Sequence, residues 1–160
     1  MYNEPSSCKL NILLCDDDKD DCEFFKEALD ELCLPTALTF LHDGEQLMQL
    51  FCDKTLDLPD VLFLDLNMPR KNGFACLVEI NSNPELKGLP VIILSTSFDK
   101  KMTEVLYKNG ARHFICKPPD YSQLKHLIQQ ALASIAEENI AQPDREKFVL
   151  TNLKSDVLSP

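Results

Sequence analysis

Short apolar runs alternate with longer amphipathic stretches along most of this chain. Four of these runs, at residues 12–15, 61–64, 91–94 and 114–116, contain no internal polar position. Continuous apolar runs bounded by turn residues are typical of strands that are buried on both faces of a parallel sheet. A further strand is predicted at residues 36–41, directly after Pro35. The pattern therefore predicts five strands.

After each strand, apolar side chains recur every three or four residues, which is the spacing of one face of a helix. The marker residues are Phe25, Ala28, Leu29 and Leu32; Leu47, Leu50 and Phe51; Phe74, Leu77 and Val78; Met102, Val105 and Leu106; and Leu124, Leu127, Ile128, Ala131 and Ile135. This alternation predicts an α/β fold of the (βα)5 type, a doubly wound sheet with helices on both faces.

The strand–helix alternation ends near Glu138, and we expect three segments along the chain. Residues 1–8 form an N-terminal tail, residues 9–137 form the domain, and residues 138–160 form a C-terminal extension without a separate output domain. Within the extension, Phe148, Val149 and Leu150 are too apolar for a plain linker. Either this run packs against its own domain or a second subunit, or the extension is a mobile tail.

The charge of the chain limits its partners. A net charge of −10 and a pI of about 4.7 disfavour a nucleic-acid partner. Membrane association is not expected either, since no apolar run reaches spanning length and the N-terminus lacks a signal-peptide pattern. The seven cysteines are scattered without a C-x-x-C pair, which favours a reduced, cytoplasmic protein.

Polar residues follow every predicted strand except the second. Asp16 and Asp17 follow the first strand, and Asp65, Ser95 and Lys117 follow the third, fourth and fifth. Right-handed crossovers bring these strand ends to one edge of the sheet, where open α/β folds bind ligands. Three carboxylates about 5 Å apart repel by roughly 3 kcal/mol per pair at an effective dielectric near 20. Such a cluster must bind protons or a cation.

The group at the strand ends suits a magnesium ion and a phosphoryl group. Carboxylate oxygens, with a backbone carbonyl at Asn67, are ligands of the type that Mg²⁺ prefers. Lys117 and Ser95 add an ammonium and a hydroxyl that donate to an anion. A cation, an ammonium and a hydroxyl around one carboxylate are the equipment for phosphoryl transfer to that carboxylate.

Four motifs, ILLCDDD, LFLDLNMP, IILS and FICKP, occur in this order and spacing. Together they resemble the receiver domain of two-component response regulators, and the resemblance covers about Lys9 to Glu137. It implies a flavodoxin-like sheet with the strand order 2-1-3-4-5. It also implies a signalling switch and not a turnover enzyme, with at most self-catalysed phosphotransfer and autodephosphorylation.

The resemblance assigns a role to each site residue. Asp65 would be the phosphoacceptor. Mg²⁺, or Mn²⁺ in its place, would be bound by Asp65, by Asp17 directly, by Asp16 through water, and by the Asn67 carbonyl. The phosphoryl oxygens would be held by Ser95 and Lys117, and the Lys117–Pro118 peptide bond would be cis. The predicted site thus consists of Asp16, Asp17, Asp65, Asn67, Ser95 and Lys117.

The resemblance also implies partners and an output. The phosphoryl group would come from a histidine kinase or a histidine phosphotransfer protein. Ser95 would then move toward it, and Phe114, at the aromatic switch position, would rotate from solvent into the core. The face made by the fourth helix, fifth strand and fifth helix would address a separate protein or a second copy of the chain. The residues of this face would include Lys100, Lys101, Glu104, Tyr107 and Lys108.

Other functions fit the residues less well. The acids from Asp16 to Glu27 nearly match an EF-hand loop, but Asp21 stands where the loop needs glycine. A haloacid-dehalogenase-type phosphatase needs a general acid where this chain has Asn67. Two alternatives of the receiver type stay open: a docking module that works without phosphorylation, and a phosphate sink. His42 and His113 are expected at the surface or the sheet edge and not as ligands.

Overall fold

A parallel sheet of six strands in the order β2-β1-β3-β4-β5-β6 forms the centre of the molecule. The computed structural model describes residues 9–137 and 142–151. The strands are β1 Leu10–Cys15, β2 Thr36–Leu41, β3 Val61–Asp65, β4 Val91–Ser95, β5 His113–Cys116 and β6 Val149–Leu150. The helices are α1 Lys19–Glu31, α2 Gly44–Cys52, α3 Gly73–Ser82, α4 Lys100–Lys108, α5 Tyr121–Ala136 and α6 Arg145–Phe148. The predicted flavodoxin-like order of the first five strands is confirmed.

Helices cover both faces of the sheet, and successive strand residues point to opposite sides. On one side, Leu62 and Leu64 of β3 pack in a core with residues of α2, α3 and α4. On the other side, Val61 and Phe63 pack with α1 and α5, where the rings of Phe25 and Phe63 lie 4.8 Å apart. Because both faces are covered, every residue of β3 and β4 is buried, which explains their unbroken apolar runs.

The five longer helices begin in the same way. In each, an Asp or Asn precedes the first turn, and its side chain accepts a hydrogen bond from a backbone N–H of that turn. The capping residues are Asp18, Asp43, Asn72, Asp99 and Asp120. In the part of the chain that the structure describes, no helix is long and apolar enough to cross a membrane.

The structure has one strand more than predicted, because the C-terminal extension joins the sheet. Val149 pairs with Phe114 and Leu150 with Ile115 in a parallel ladder. Phe148 is only 3% exposed. The hypothesis that this apolar run packs on its own domain is confirmed, and β6 satisfies part of the β5 edge, which would otherwise present unpaired backbone groups. A two-residue strand carries no periodicity, so the sequence pattern did not show it.

Some predictions on the extension and the N-terminal tail cannot be compared with the structure. The N-terminal tail at residues 1–8, and residues 138–141 and 152–160 of the extension, lie outside the described residues.

Four local predictions are wrong. His113 is 3% exposed and not at the surface, because β6 covers the edge on which it lies. Its two ring nitrogens lie 3.2 Å from the Phe148 carbonyl and 2.8 Å from the Ser134 hydroxyl. Met102 and Val105 of α4 are exposed, and only Leu106 of the three predicted inward residues is fully buried. The described residues contain no cis peptide bond, so Lys117–Pro118 has the trans form that peptide bonds ordinarily prefer.

Candidate functional site

The strand register brings the predicted site residues to one edge of the sheet. Cys15 is the partner of Leu64, Asp65 of Leu94, and Ser95 of Cys116. The residues that end these strands or follow them therefore lie side by side. The site is formed where β1, β3, β4 and β5 end, as expected for a doubly wound sheet.

Three carboxylates meet at this edge. One oxygen each from Asp16, Asp17 and Asp65 lies within 4.8 Å of the other two. Asp16 and Asp65 are buried, whereas Asp17 is exposed. A group of hard oxygen ligands that is open to water on one side fits a divalent cation that keeps part of its hydration shell. The structure thus brings together the acids that the sequence singled out.

The ammonium of Lys117 lies among these acids. Its Nζ donates hydrogen bonds of 2.8 Å to Asp16 Oδ2 and 2.8 Å to Asp21 Oδ2. The distance from Nζ to Asp65 Oδ1 is longer, at 3.5 Å. Lys117 is held at this place because its backbone N–H donates to the Ser95 carbonyl, across 2.7 Å. The predicted meeting of Lys117 with Asp65 is therefore observed, together with a partner that was not predicted.

That partner, Asp21, is the site residue that sequence reasoning missed. It lies in the first turn of α1, where an acid is sufficiently explained by the helix dipole. The only sequence signal is its position one helical turn beyond the acids that follow β1. Its proximity to Lys117 depends on where β5 lies in the sheet, and that is a tertiary property.

The charges at the site shift the pKa values of its members. Burial raises the pKa of Asp65, Lys117 opposes this rise and Asp16 adds to it, and the result is a pKa of about 7. Burial also raises the pKa of Asp16, against the effect of its hydrogen bond from Lys117. For Lys117, burial lowers the pKa, but hydrogen bonds to Asp16 and Asp21 outweigh burial and keep the ammonium charged. One ammonium does not balance this many acids, so a cation is favoured here.

Ser95 ends β4, the strand that pairs with β3, and Asn67 follows Asp65 by two residues in the chain. Ser95 is buried, and its Oγ accepts a hydrogen bond of 3.2 Å from the Ser97 N–H. Asn67 is exposed in the loop that follows β3. That loop is held close to the strand, since the Gly73 N–H donates to the Leu66 carbonyl across 3.0 Å. A Cβ at Gly73 would collide with the Asp65 carbonyl, so glycine is required for this close approach.

Cys15 lies beneath the acids but is not a reactive group. Its Sγ is 3.4 Å from the Asp43 carbonyl and 3.5 Å from Met68 Sδ. Burial raises the pKa of this thiol, and the nearby Cys76 and acids raise it further. A thiol that stays protonated is a poor nucleophile and a poor metal ligand. The prediction that Cys15 is a core residue is confirmed.

Phe114 differs from the expected starting position of a switch. It is 1% exposed, so its ring already lies in the core and does not exchange solvent for it. The ring packs edge-on against Phe98 at 6.1 Å, and its backbone pairs with Val149. The ring therefore already occupies the inward position, and the outward starting position is not observed. Its rotation on phosphorylation stays a prediction.

The family comparison agrees with the fold and the site. The family model described as the response regulator receiver domain matches residues 12–129. The chain therefore belongs to the response regulator receiver family, a class of signalling switches.

The structure also excludes the EF-hand alternative, since most of the candidate loop lies within helix α1.

Two similar proteins match most of the chain, one of them both in sequence and in a solved structure. The response regulator Rcp1 of Synechocystis sp. is 30% identical over 133 residues, which cover 81% of this chain and 90% of Rcp1. The crystal structure of the Mn²⁺-bound form of Rcp1 gives a TM-score of 0.73 at 28% identity, over 83% of this chain and 98% of that chain. The crystal structure of the phosphorylated cyanobacterial phytochrome response regulator RcpA gives a TM-score of 0.70 at 31% identity. The match covers 78% of this chain and 91% of that chain.

Proposed function

We propose that Asp65 accepts a phosphoryl group from a histidine kinase or a histidine phosphotransfer protein, in a reaction that depends on Mg²⁺. The observation that supports this best is the position of the Asp65 carboxylate. It is buried at the end of β3, grouped with two other acids, and 3.5 Å from the Lys117 ammonium. The similar proteins support the proposal, because one was solved with Mn²⁺ and another in a phosphorylated form.

The metal would be held by the acid group. Asp16, Asp17 and Asp65 would supply carboxylate oxygens. The backbone carbonyl of Asn67, in the loop after β3, would supply a further ligand. When bound, Mg²⁺ neutralises charge on the phosphoryl oxygens and on the acceptor. These ligands suit Mg²⁺ because they are all oxygens, and because the group is open to water on the side of the exposed Asp17. Mn²⁺ takes the same ligand type and is expected to substitute.

Asp65, Lys117 and Ser95 would each have a separate role in the phosphoryl transfer. An Asp65 oxygen forms the new O–P bond while the P–N bond to the donor histidine breaks, and the imidazole keeps the electron pair. Lys117 donates from its ammonium to the phosphoryl oxygens, and Ser95 donates from its hydroxyl. Burial of Asp65 excludes water from one side and strengthens these interactions. Because the product is an aspartyl phosphate and no second nucleophile is required, the protein acts as a switch.

The output surface would include the C-terminal extension. Residues 142–151 lie across α4 and β5, on the face that the resemblance assigns to partners. Gln142 Nε2 donates to the carbonyls of Tyr107 and Ala111, each across 2.7 Å, and the Tyr107 hydroxyl donates to the Pro143 carbonyl across 2.9 Å. A downstream protein or a second copy of the chain would contact this segment as well as Lys100, Lys101 and Lys108.

The six cysteines in the described residues are free, which supports a cytoplasmic setting.

The coverage of this face favours a second candidate, a phosphate sink. Arg145 forms an ion pair with Glu104 at 2.9 Å, and the ring of Phe148 packs on that of Tyr107 at 5.2 Å. A face that is covered in this way is less accessible to a target. In that case the protein would take phosphoryl groups from a relay without passing a signal to a partner. Binding of a partner after phosphorylation distinguishes the two candidates.

Labelling with a small phosphodonor tests the acceptor. Incubation with acetyl phosphate and Mg²⁺ should add one acid-stable, base-labile phosphoryl group, visible by intact mass. Asp65→Asn should abolish the label, and Asp57→Asn, in the exposed loop before β3, should keep it. Labelling of Asp65→Asn at the level of the unmodified protein would move the nucleophile to another residue.

Thermal unfolding tests the metal. Mg²⁺ should raise the melting temperature of the unmodified protein, because a ligand that binds only the folded state stabilises it by mass action. Asp17→Ala should raise the melting temperature without metal, since it removes repulsion in the acid group, and should erase the Mg²⁺ shift. Asp57→Ala is the matched control. A full Mg²⁺ shift in Asp17→Ala would exclude Asp17 as a ligand.

A further inference from the structure

The ammonium of Lys117 lies closer to Asp16 and Asp21 than to Asp65, the proposed phosphoacceptor. Its hydrogen bonds to Asp16 and Asp21 are both 2.8 Å, whereas Asp65 Oδ1 lies at 3.5 Å. An ammonium has three protons to donate. A phosphoryl group on Asp65 brings new oxygens that need such donors. Because Asp16 and Asp21 already take two of the three protons, only one remains for these oxygens unless one of the two short bonds is released.

The two short bonds differ in how easily they are given up. The side chain of Asp16 is 2% exposed, and it belongs to the acid group that would hold the metal. The side chain of Asp21 is 36% exposed, and its carboxylate is not part of that acid group. Releasing Asp16 would leave a buried charge without its partner, which is costly. Releasing Asp21 returns a half-exposed carboxylate to water.

The space beside Asp21 allows this release. A cavity of about 180 Å³ between α1 and α5 is bordered by Asp21 and Lys117, and by Phe24, Pro118 and Tyr121. Asp21 projects from the first turn of α1, which is fixed by the Asp18 cap. The helix therefore need not move when the Asp21 side chain turns away from Lys117.

We propose that Asp21 is a positioning residue that acts through Lys117. While Asp65 is unmodified, Asp21 holds the ammonium on the α1 side of the site; when phosphoryl oxygens enter, it releases the ammonium to them. Asp21 thereby weakens the hold of the site on a phosphoryl group. This inference rests on the proposed function of Asp65, and it makes Asp21 a residue that tunes the reaction without touching the transferred group.

The test is a titration of the full chain with beryllofluoride, a phosphoryl mimic, in the presence of Mg²⁺. Asp21→Asn keeps the shape of the side chain but weakens its hold on Lys117, so we expect beryllofluoride to bind about two- to fivefold more tightly, the range for a half-exposed ion pair. Asp20→Asn is the matched control, because Asp20 is exposed on the same turn and its charge is equal. Asp21→Glu restores the carboxylate and should return the affinity toward that of the unmodified protein.

A second titration shows whether Asp21 acts through Lys117. In a Lys117→Met background, Asp21→Asn should change the affinity no more than Asp20→Asn does, since the bond that it weakens is already absent. Where Lys117→Met binds too weakly to titrate, the initial rate of labelling by acetyl phosphate gives the same comparison. A gain that persists without Lys117 would show direct repulsion between Asp21 and the anion, and would overturn the proposal.

The Mg²⁺ affinity, measured from melting temperatures, should be equal in Asp21→Asn and Asp20→Asn, since Asp21 is outside the acid group. If the unmodified protein binds beryllofluoride but Asp21→Asn matches Asp20→Asn, the positioning role of Asp21 is wrong and the function of Asp65 stands. If the unmodified protein neither binds beryllofluoride nor takes the label, both proposals fail.

Discussion

Asp65 is a carboxyl group whose surroundings oppose its ionisation. Burial raises its pKa to about 7, although Lys117 acts in the other direction. The same feature that makes the metal-free site unfavourable makes a cation at the site stabilising. At the level of single residues, the affinity of the site for a metal therefore depends on the charge of Asp65.

Stability against pH should report this charge state. The ordinary pKa of the group is 3.8, and in the folded protein it is about 7. Between these values the folded state binds more protons than the unfolded state, so the free energy of unfolding of the metal-free protein should fall as the pH rises through this window. Asp65→Asn removes this pH dependence. The free energy of unfolding of the variant should therefore exceed that of the unmodified protein by an amount that grows to about 4 kcal/mol by pH 7 and then stays constant.

Urea unfolding in EDTA between pH 4.5 and 8 measures this difference. Asp57→Asn, which removes an exposed carboxylate at the opposite edge of the sheet, is the control and should run parallel to the unmodified protein. A constant difference between Asp65→Asn and the unmodified protein over this range would mean that Asp65 ionises normally.

At the level of elements, residues 142–151 of the C-terminal extension are part of the folded domain. Its strand β6 pairs with β5, and its helix α6 inserts Phe148 beside Tyr107. His113 connects the extension to α5, because one ring nitrogen contacts the Phe148 carbonyl and the other contacts Ser134. Burial lowers the pKa of His113, so the ring stays neutral and keeps both contacts near neutral pH.

Truncation of Phe148 should test how much the extension stabilises the fold. Phe148→Ala should lower the free energy of unfolding by about 3–5 kcal/mol, the usual cost of emptying a buried phenylalanine site. Phe24→Ala, at an exposed ring on α1, should cost much less. Trypsin should cut slowly after Arg145 and Lys147 in the unmodified protein and rapidly in Phe148→Ala. Equal rates in both would mean that α6 is already open.

At the level of the whole molecule, Asp65, the proposed phosphoacceptor, is connected to the extension through β4 and β5. Ser95 ends β4 beside Cys116, and β5 pairs on its other edge with Val149. A movement of Ser95 toward a phosphoryl group would therefore act on the strand that carries both Phe114 and the extension. Phe98 and Phe114, in contact at 6.1 Å, lie on this route.

Hydrogen exchange should detect this connection. Beryllofluoride with Mg²⁺ should change the exchange of amides in residues 98–116 and 142–151, and should change self-association or partner binding. Ser95→Ala should still accept phosphate, more weakly, and should show a smaller change. Unaltered exchange and oligomeric state in the presence of the mimic would favour a phosphate sink over a switch with an output surface.

The sequence alone determined the architecture and the main members of the candidate site. Its apolar runs predicted five strands in their observed places, because strands buried on both faces must be apolar throughout. Asp16, Asp17, Asp65, Ser95 and Lys117 were found because right-handed crossovers bring the carboxyl ends of parallel strands to one edge. The strand order that makes them neighbours was implied by the resemblance to the receiver family. These properties depend on local composition and general topology.

The tertiary structure decided what depends on particular contacts. The bond from Lys117 to Asp21, the burial of His113 and the inward position of Phe114 all require knowing which elements pack together. The two-residue strand β6 is defined only by its pairing with β5, since a run so short has no pattern of its own. Such features arise from residues far apart in the chain, and no local property of the sequence encodes the distance between them.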